Sequence, residues 1–266
     1  MSVLLVIPAR YASTRYPGKP LVEITGASGV AKSLIRRSWD AAMSVKGVDR
    51  VIVATDDKRI KDAAESFGAE VVMTPESCRN GTERCAAALT ALGSGYDMVV
   101  NLQGDAPLTP AWFVEDLIAG LDANPDARVA TPVLRTEGRA LRGLRDDRAA
   151  GRVGGTTAVF GANHNALYFS KEVIPYTGQD HADDAQTPVF HHVGVYAYRP
   201  DALAAYTGWD AGPLEQLEGL EQLRFLERGV SMLCVEVQSN NRQFWELNNP
   251  EDLPKIEAML VEMGQD

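Results

Sequence analysis

Residues 3–21 have the sequence Val3-Leu-Leu-Val-Ile-Pro-Ala-Arg-Tyr-Ala-Ser-Thr-Arg-Tyr-Pro-Gly-Lys-Pro-Leu21. The continuous apolar run at its beginning is typical of a parallel strand that is buried on both faces. A loop of small residues and prolines follows that run. Doubly wound sheets bind their ligands on the loops that leave the carboxyl ends of their strands. These residues therefore predict an α/β fold with a ligand-binding loop after its first strand.

The loop carries three fixed cations, Arg10, Arg15 and Lys19. Arginine forks suit pairs of phosphate oxygens, lysine supplies a point charge, and small neighbours let the backbone approach a phosphate. The pattern G-x-x-x-x-G-K-[ST] does not occur, so a Walker-type phosphate loop is excluded. Triphosphate binding for nucleotidyl transfer is the functional interpretation. A solvated surface loop is the alternative.

Composition and charge narrow the class of protein. The chain has 266 residues and a formal net charge of −10, which disfavours sequence-independent binding to nucleic acid or to anionic membranes. The three cysteines, Cys78, Cys85 and Cys234, form no C-x-x-C pair. A disulfide framework or a zinc site is therefore not expected. No signal peptide or membrane-spanning run is visible, and we expect a cytoplasmic protein.

Strands and helices alternate through the first half of the sequence. Apolar runs predict strands at 51–55, 70–73, 98–102 and 127–134. Asp57, Gly81 and Pro110 mark the beginnings of intervening helices. This alternation predicts an α/β fold with a doubly wound, mostly parallel, Rossmann-like sheet.

The regular alternation ends after residue 137. An arginine-rich stretch, 137–152, is interpreted as an exposed and partly helical linker. Strands expected at 157–160, 166–169 and 193–198 lack long helices between them, so residues 153–200 are predicted to be an antiparallel insertion or dimerisation arm within a single domain, 1–266. An amphipathic helix is expected over 214–228, followed by a strand at 232–237 and a final helix that begins near residue 250.

Asn101-Leu-Gln-Gly-Asp-Ala-Pro-Leu108 carries the second chemical signal. Asp105 follows a buried strand and is expected at the same sheet edge as the cationic loop. Mg²⁺ commonly takes one or two protein carboxylates together with substrate phosphates, so Asp105 is a candidate metal ligand. The alternative is that Asp105 caps the helix that begins near Pro110.

Taken together, these residues resemble the 3-deoxy-manno-octulosonate (Kdo) cytidylyltransferase family over nearly the whole chain. The first motif, 8–21, is shared with sialic acid cytidylyltransferases and related nucleotidyltransferases, whereas its combination with the motifs that begin at His192 and Leu220 points to a Kdo-type sugar. The motifs that carry the resemblance are Pro8 to Leu21, Val53-Ala-Thr-Asp56, Gly81-Thr-Glu-Arg84, Asn101-Leu-Gln-Gly-Asp105, Ala166-Leu-Tyr-Phe-Ser170, His192-Val-Gly-Val-Tyr-Ala-Tyr-Arg199, Leu220-Glu-Gln-Leu-Arg224 and Pro250-Glu-Asp-Leu253.

The resemblance implies a role for each matching residue. CTP would be bound by Ala9, Arg10, Ser13, Arg15, Lys19, Asn80, Gly81, Arg84 and Gln103. The acidic 3-deoxy sugar would be bound by Gln103, Lys171, His192, Tyr196, Glu221 and Gln222. Arg10, Arg15, Lys19 and Asp105 would be catalytic, Mg²⁺ would be the cofactor with Asp105 and Asn248 as its ligands, and a homodimer is expected. From the residues alone, His192 and Tyr196 could equally be buried strand residues, and one of Glu221 and Gln222 could be a surface residue.

The implied reaction is direct attack of the anomeric hydroxyl of a 3-deoxy-2-ulosonic acid on the α-phosphorus of CTP, with release of pyrophosphate. Four departures from the family pattern lie on the metal and sugar side. Ala106 replaces a glutamate, Lys171 replaces an arginine, 156–159 lacks a lysine, and Asn248 replaces an aspartate. Glu246 or Asp252 could compensate for that last change, and Asn248 could instead cap the final helix. The alternatives for function are a cytidylyltransferase for amino-Kdo or a nonulosonic acid, and a nucleotide-binding homologue without transfer activity.

Overall fold

The chain folds into two compact units, one built from Met1–Glu115 with Ser239–Asp266 and the other from Asp116–Gln238. The structure is a computed structural model that describes residues 1–12, 16–93, 95–153, 155–240, 242 and 245–266. Ser13 and Arg15 of the predicted phosphate loop lie outside the described residues.

A parallel sheet with the order β5-β4-β1-β6 forms the centre of the first unit. Its strands are β1 (Val3–Ala9), β4 (Arg50–Thr55), β5 (Val71–Met73) and β6 (Met98–Leu102). A short antiparallel hairpin is formed by β2 (Glu23–Thr25) and β3 (Ala31–Ser33). Because β1 and β6 are buried almost throughout, their apolar runs pack on both faces, as the sequence predicts.

Three helices connect the hairpin and the strands of this unit, and a side-chain cap marks the beginning of each. They are α1 (Leu34–Met43), α2 (Lys58–Ser66) and α3 (Gly81–Leu92). Helix α4 (Ala111–Asp122) follows β6 and continues into the residues of the second unit, and α9 (Leu253–Met263) lies in the carboxyl-terminal segment of the first unit. The Asp57 carboxylate accepts from Arg59 N at 2.8 Å, and Asn80 Oδ1 accepts from Glu83 N at 2.9 Å. Caps of this kind are each worth about 1 kcal/mol. They place α2 and α3 directly after the carboxyl ends of β4 and β5.

The second unit has a mostly antiparallel sheet around one long strand, β7 (Val129–Glu137). The order β11-β7-β10-β8-β9 is antiparallel throughout, and β12 pairs with β7 in parallel. The other strands are β8 (Thr156–Phe160), β9 (Ala166–Ser170), β10 (Gln186–His192), β11 (Val195–Tyr198) and β12 (Met232–Val237). The predicted α/β class is therefore confirmed, while the prediction that residues 153–200 are an insertion or dimerisation arm stays a prediction.

The helices of the second unit differ from one expectation. They are α5 (Gly138–Ala149), α6 (Pro200–Thr207), α7 (Pro213–Glu218) and α8 (Leu223–Glu227). The stretch 137–152, predicted to be exposed and partly helical, contains α5 and is mostly exposed or half-buried. The predicted single helix over 214–228 is wrong, because Gly219 adopts a left-handed conformation with φ 63° and ends α7. Leu217, which the amphipathic pattern places inside, is 82% exposed.

Candidate active site

The cationic loop is folded back on itself by Tyr11. Gly18 N donates to the Tyr11 carbonyl at 3.0 Å, and Gly18 has a left-handed φ of 71° that suits glycine. A Cβ at this position would lie 3.1 Å from the Tyr11 ring, so the ring packs against the bare glycine backbone. The guanidinium carbon of Arg59 lies 3.3 Å from the centroid of the Tyr11 ring. Neither Tyr11 nor Arg59 was assigned a role from the sequence, since no spacing rule connects α2 with this loop.

Lys19 and Asp105 meet at the carboxyl edge of the parallel sheet. Lys19 Nζ lies 2.8 Å from Asp105 Oδ2, and both side chains are largely buried. The other oxygen, Asp105 Oδ1, is buried and has no hydrogen-bond partner within the described part of the chain. The carboxylate therefore does not cap α4. It instead presents one bare oxygen beside a cation, which is a suitable arrangement for a divalent metal ion that also contacts phosphate.

The carboxyl-terminal segment is attached to Asp105 through the backbone. Leu247 N donates to the Asp105 carbonyl at 2.8 Å. Asn248 Nδ2 donates to Glu246 Oε2 at 3.2 Å, so these two side chains contact each other next to that attachment. Glu246 and Asp252 are the two carboxylates that could replace the family's aspartate. Of these, Glu246 is the one that contacts the side chain of Asn248.

Asp252, the other candidate, is already committed to local structure. It is buried, its Oδ2 accepts from the backbone of Asn248 and Asn249, and its Oδ1 accepts from Trp245 Nε1. Asn249 and Asp252 form a reciprocal capping box before the final helix. The side chain that caps this end is thus Asn249, and the interpretation of Asn248 as the cap is wrong.

Arg10 links the phosphate loop with the loop that precedes α3. Arg10 is exposed, and its Nη1 donates to the Arg79 carbonyl at 3.5 Å. Asn80 follows and caps α3, whose first residue is Gly81. Ala9 ends β1, and Gln103 follows β6 at the same edge of the sheet. The predicted CTP residues of the described part thus gather at the carboxyl ends of neighbouring strands.

Arg84 occupies a different position from the other predicted CTP residues. It is 2% exposed, Nη1 donates to Thr74 Oγ1 at 2.6 Å, and Nη2 donates to Asp56 Oδ2 at 2.8 Å. Asp56 and Thr74 follow β4 and β5, so Arg84 fastens α3 to two strand ends. A contact from Arg84 to cytosine stays a prediction.

The second unit gathers the predicted sugar residues around β10, β11 and the α7–α8 corner. His192 and Tyr196 are both buried, with ring centroids 5.6 Å apart. Tyr196 OH donates to Gln222 Oε1 at 3.1 Å. Gln222 is 2% exposed, and its Nε2 has no hydrogen-bond partner among the described residues. Gln222, not Glu221, is therefore the more deeply buried member of that pair.

The protonation of His192 follows from its neighbour Thr131. Thr131 Oγ1 lies 2.8 Å from the Val195 carbonyl and 3.0 Å from His192 Nε2. A hydroxyl has one proton, so when Thr131 donates to Val195 it must accept from His192 Nε2–H. Burial lowers the pKa of His192 to about 3, and nearby His191 adds to the effect. His192 is thus a neutral imidazole with a lone pair on Nδ1, which can accept a hydrogen bond.

Lys171 lies next to the end of α7. Its backbone N donates to Glu218 Oε2 at 2.9 Å, and its Nζ lies 3.0 Å from where a Cβ on Gly219 would be. Ser170 Oγ donates to the other oxygen of Glu218 at 2.7 Å. Gly219, which ends α7, therefore also leaves space for the Lys171 ammonium. Glu221 and Gln222 follow this glycine closely in the sequence.

The parallel sheet, the cationic loop and the Asp105 carboxylate define a nucleotidyltransferase. A family model described as cytidylyltransferase matches residues 4–232. A 3-deoxy-manno-octulosonate cytidylyltransferase of Maricaulis maris is 44% identical over all of this chain and 99% of its own length. The chain belongs to the 3-deoxy-manno-octulosonate cytidylyltransferase family.

Two further relatives differ in what their names specify. An 8-amino-3,8-dideoxy-manno-octulosonate cytidylyltransferase of Shewanella pealeana is 40% identical over 98% of this chain and 99% of its own length. A solved structure of a CMP:2-keto-3-deoxy-manno-octonic acid synthetase in complex with CTP is 33% identical, with a TM-score of 0.82 over 99% of this chain and all of that one. In the described part of this chain, no helix has the length and apolar character needed to cross a bilayer.

Proposed function

We propose that this enzyme transfers CMP from CTP to the anomeric hydroxyl of a 3-deoxy-2-ulosonic acid, namely Kdo, and releases pyrophosphate. The observation that carries the proposal is the Lys19–Asp105 pair with its bare Oδ1 at the strand ends, next to the loop that bears Arg10. The sequence relatives named for Kdo, the first of which matches the whole chain, support the choice of sugar.

The chemistry is a direct displacement. The anomeric oxygen forms a bond to the α-phosphorus of CTP. The bond between that phosphorus and the oxygen that bridges the α- and β-phosphates breaks, and the hydroxyl proton passes to solvent. Phosphoryl-type transfer depends on positioning and charge neutralisation more than on covalent catalysis. Arg10 and Lys19, with Arg15 as a further proposed member, would hold the triphosphate and offset the charge that grows on pyrophosphate.

The residues present fit Mg²⁺. No group of three or more His, Cys, Asp and Glu side chains within the described residues could hold a metal ion by itself. Mg²⁺ needs only one or two carboxylates when substrate phosphates supply further ligands, and the buried, bare Oδ1 of Asp105 suits this. Asp105 would hold the ion, with Asn248 or Glu246 as the second protein ligand. Bound Mg²⁺ supplies charge neutralisation at the phosphates and lowers the pKa of a coordinated hydroxyl.

The second unit would recognise the sugar acid through neutral hydrogen-bonding groups and one cation. Lys171 would bind the carboxylate. Because His192 is neutral and offers a lone pair on Nδ1, it would accept a hydrogen bond from a sugar hydroxyl instead of pairing with the carboxylate. Tyr196, Glu221 and Gln222 would complete the pocket, and Gln222 Nε2 is a buried donor suited to a sugar oxygen.

An amino sugar is the second candidate substrate. Relatives from Shewanella that are named for 8-amino-3,8-dideoxy-manno-octulosonate match nearly the whole chain at 40% and 41% identity. An ammonium group on the sugar would suit the Glu221 carboxylate. A homologue without transfer activity is the third possibility, which the Asn248 and Ala106 substitutions motivate.

One assay separates these functions. Pyrophosphate release would be measured with CTP, Mg²⁺ and Kdo, amino-Kdo, a nonulosonic acid or no sugar. We expect the highest kcat/KM with Kdo. A preference for amino-Kdo would favour the second candidate. No release with any sugar, in protein that binds CTP, would contradict the transferase proposal.

The cellular setting is also proposed rather than established. We propose a cytoplasmic enzyme, since its three cysteines are thiols outside any disulfide. We also propose that its product enters bacterial lipopolysaccharide or capsule.

We further propose a homodimer. Exposed Leu167, Tyr176 and Leu217, at 68%, 93% and 82%, give the second unit apolar surface that a partner subunit could cover. Light scattering should give twice the chain mass of 28.8 kDa, and a monomer at micromolar concentration would contradict the dimer.

A further inference from the structure

The corner between α7 and α8 carries two of the proposed sugar-binding residues outside regular helix. After the left-handed Gly219, the chain passes through Leu220 and Glu221 to Gln222, which precedes α8. Backbone at such a corner lacks the continuous hydrogen bonds that make a helix rigid. The carbonyls of Leu220, Glu221 and Gln222 accept bonds of 3.1–3.3 Å from N–H groups in the first turn of α8. Contacts from elsewhere in the unit add to these bonds in fixing the orientation of Glu221 and Gln222.

Arg224 supplies one of these contacts. It is 1% exposed, and its Nε and Nη2 each donate to one oxygen of Glu215 at 2.6 Å, in the bidentate geometry that arginine favours. Glu215 lies in α7 and Arg224 in α8, so this ion pair spans the break at Gly219. Arg224 Nη1 also donates to the Trp209 carbonyl at 3.3 Å.

Tyr206 connects the ion pair with the corner itself. The Arg224 guanidinium carbon lies 4.1 Å from the centroid of the Tyr206 ring, and Tyr206 is fully buried in α6. Its hydroxyl donates to the Glu221 carbonyl at 3.1 Å. The next residue is Gln222, whose Oε1 accepts from Tyr196 and whose Nε2 is the buried donor described above. A chain of direct contacts thus leads from Glu215 to the Gln222 amide.

We propose that Tyr206 and Arg224 are positioning residues that set the affinity for the sugar acid by holding the Glu221–Gln222 backbone. This inference rests on the proposed function, because it takes Gln222 to face the sugar. Neither residue touches the substrate itself. A buried amide donor that points away from the sugar oxygen stays without an acceptor, which is costly. Sugar binding therefore depends on a fixed direction of the Gln222 amide. Tyr206 and Arg224 therefore act on sugar binding and not on the triphosphate.

Tyr206→Phe gives the sharpest test, because it removes one hydroxyl and keeps the ring under Arg224. We expect KM for Kdo to rise by about threefold to tenfold, as for the loss of one hydrogen bond, with KM for CTP unchanged. Tyr96→Phe is the matched control. Its hydroxyl accepts from Arg50 Nη1 at 3.0 Å in the first unit, and its loss should change neither KM. An unchanged KM for Kdo in Tyr206→Phe, or an equal rise for both substrates, would overturn the proposal.

A readout without substrate keeps this test separate from the proposed function. The side-chain amide of Gln222 can be followed by ¹⁵N NMR, with Gln222→Glu to assign its signal. Tyr206→Phe should shift or broaden that signal, and Tyr96→Phe should not. Should wild-type enzyme release no pyrophosphate with any sugar acid, the proposed function fails, and an unmoved Gln222 signal would additionally overturn the positioning role. Glu215→Gln should act in the same direction as Tyr206→Phe.

Discussion

Lys19 Nζ and Asp105 Oδ2 lie 2.8 Å apart, although the two residues follow different strands of the parallel sheet. This pairing keeps the lysine ammonium extended at the strand ends without a nucleotide. It also leaves the second Asp105 oxygen without a hydrogen-bond partner among the described residues and available to a ligand. A charge proposed to bind phosphate and a candidate metal ligand are thus held side by side by a single ion pair.

Removing either described cation of the phosphate loop should weaken CTP use selectively. In Lys19→Ala and Arg10→Ala, we expect kcat/KM for CTP to fall by roughly tenfold to a hundredfold, because a charge-assisted hydrogen bond is worth about 1.5–3 kcal/mol. KM for the sugar acid should change much less. Steady-state kinetics with each substrate varied in turn provides the measurement. A wild-type KM and kcat for CTP in either variant would refute the triphosphate assignment.

The metal dependence of turnover should reveal which residue accompanies Asp105. Asn248→Asp adds a carboxylate, so we expect half-maximal activity at a lower Mg²⁺ concentration than in wild type. Glu246→Ala should raise the Mg²⁺ requirement if this carboxylate serves as the second ligand. Glu251→Ala is a suitable control, because its side chain is exposed in the turn before α9. If neither Asn248→Asp nor Glu246→Ala alters the Mg²⁺ titration, the segment 246–248 does not contribute to the metal site.

Arg84 should contribute mainly to the free energy of unfolding of the protein. Replacing it by alanine leaves the half-buried Asp56 carboxylate without its partner, and breaking a buried pair costs up to about 3–5 kcal/mol. We expect the free energy of unfolding in urea to fall by a similar amount. Were Arg84 instead only a cytosine contact, Arg84→Ala would keep its stability and lose discrimination between CTP and UTP. Comparison of the two readouts decides between these roles.

His192 should make the protein less stable at acid pH without contributing a titration to catalysis near neutrality. Its pKa is lowered to about 3 in the fold, below the usual value near 6.5, so the unfolded chain binds more protons between these limits. The stabilising contribution is complete above pH 6.5 and is lost as the pH falls toward 3, by about 1.4 kcal/mol per pH unit.

The matching variant is His192→Gln, whose amide nitrogen can still donate to Thr131. It should reduce the slope of unfolding free energy against pH by about one proton between pH 6 and 4. Urea titrations at several pH values provide the measurement. A slope equal to that of wild type would mean that His192 is not held neutral by the fold.

The parallel half of the fold was predictable because its signals are local. Continuous apolar runs such as 3–7 and 98–102 are compatible with a strand that is covered on both faces. Asp57 and Asn80 cap helices through backbone N–H groups that lie within three residues of them in the sequence. For the same reason the sequence placed Lys19 and Asp105 at one sheet edge. Their ion pair was not predicted, because the strand order places both residues at one edge without fixing which side chains meet.

Other features depend on contacts that spacing does not encode. The helix expected over 214–228 fails at Gly219, where the chain turns and leaves Leu217 in solvent. The buried partners of Arg84 and the contact from Tyr206 to Glu221 join residues on separate elements. The sequence allowed Asn248 to cap the final helix, and only the reciprocal bonds of Asp252 show that Asn249 forms the capping box instead.

The first unit is assembled from two separate segments, Met1–Glu115 and Ser239–Asp266, with the second unit encoded between them. A nascent chain on the ribosome that has reached residue 238 therefore already contains β1, β6, Lys19 and Asp105. It still lacks Leu247, whose amide holds the Asp105 carbonyl. During synthesis, the unit that is begun first thus waits for the unit encoded inside it, and the backbone around Asp105 gains its bond from Leu247 only after the whole second unit has been made.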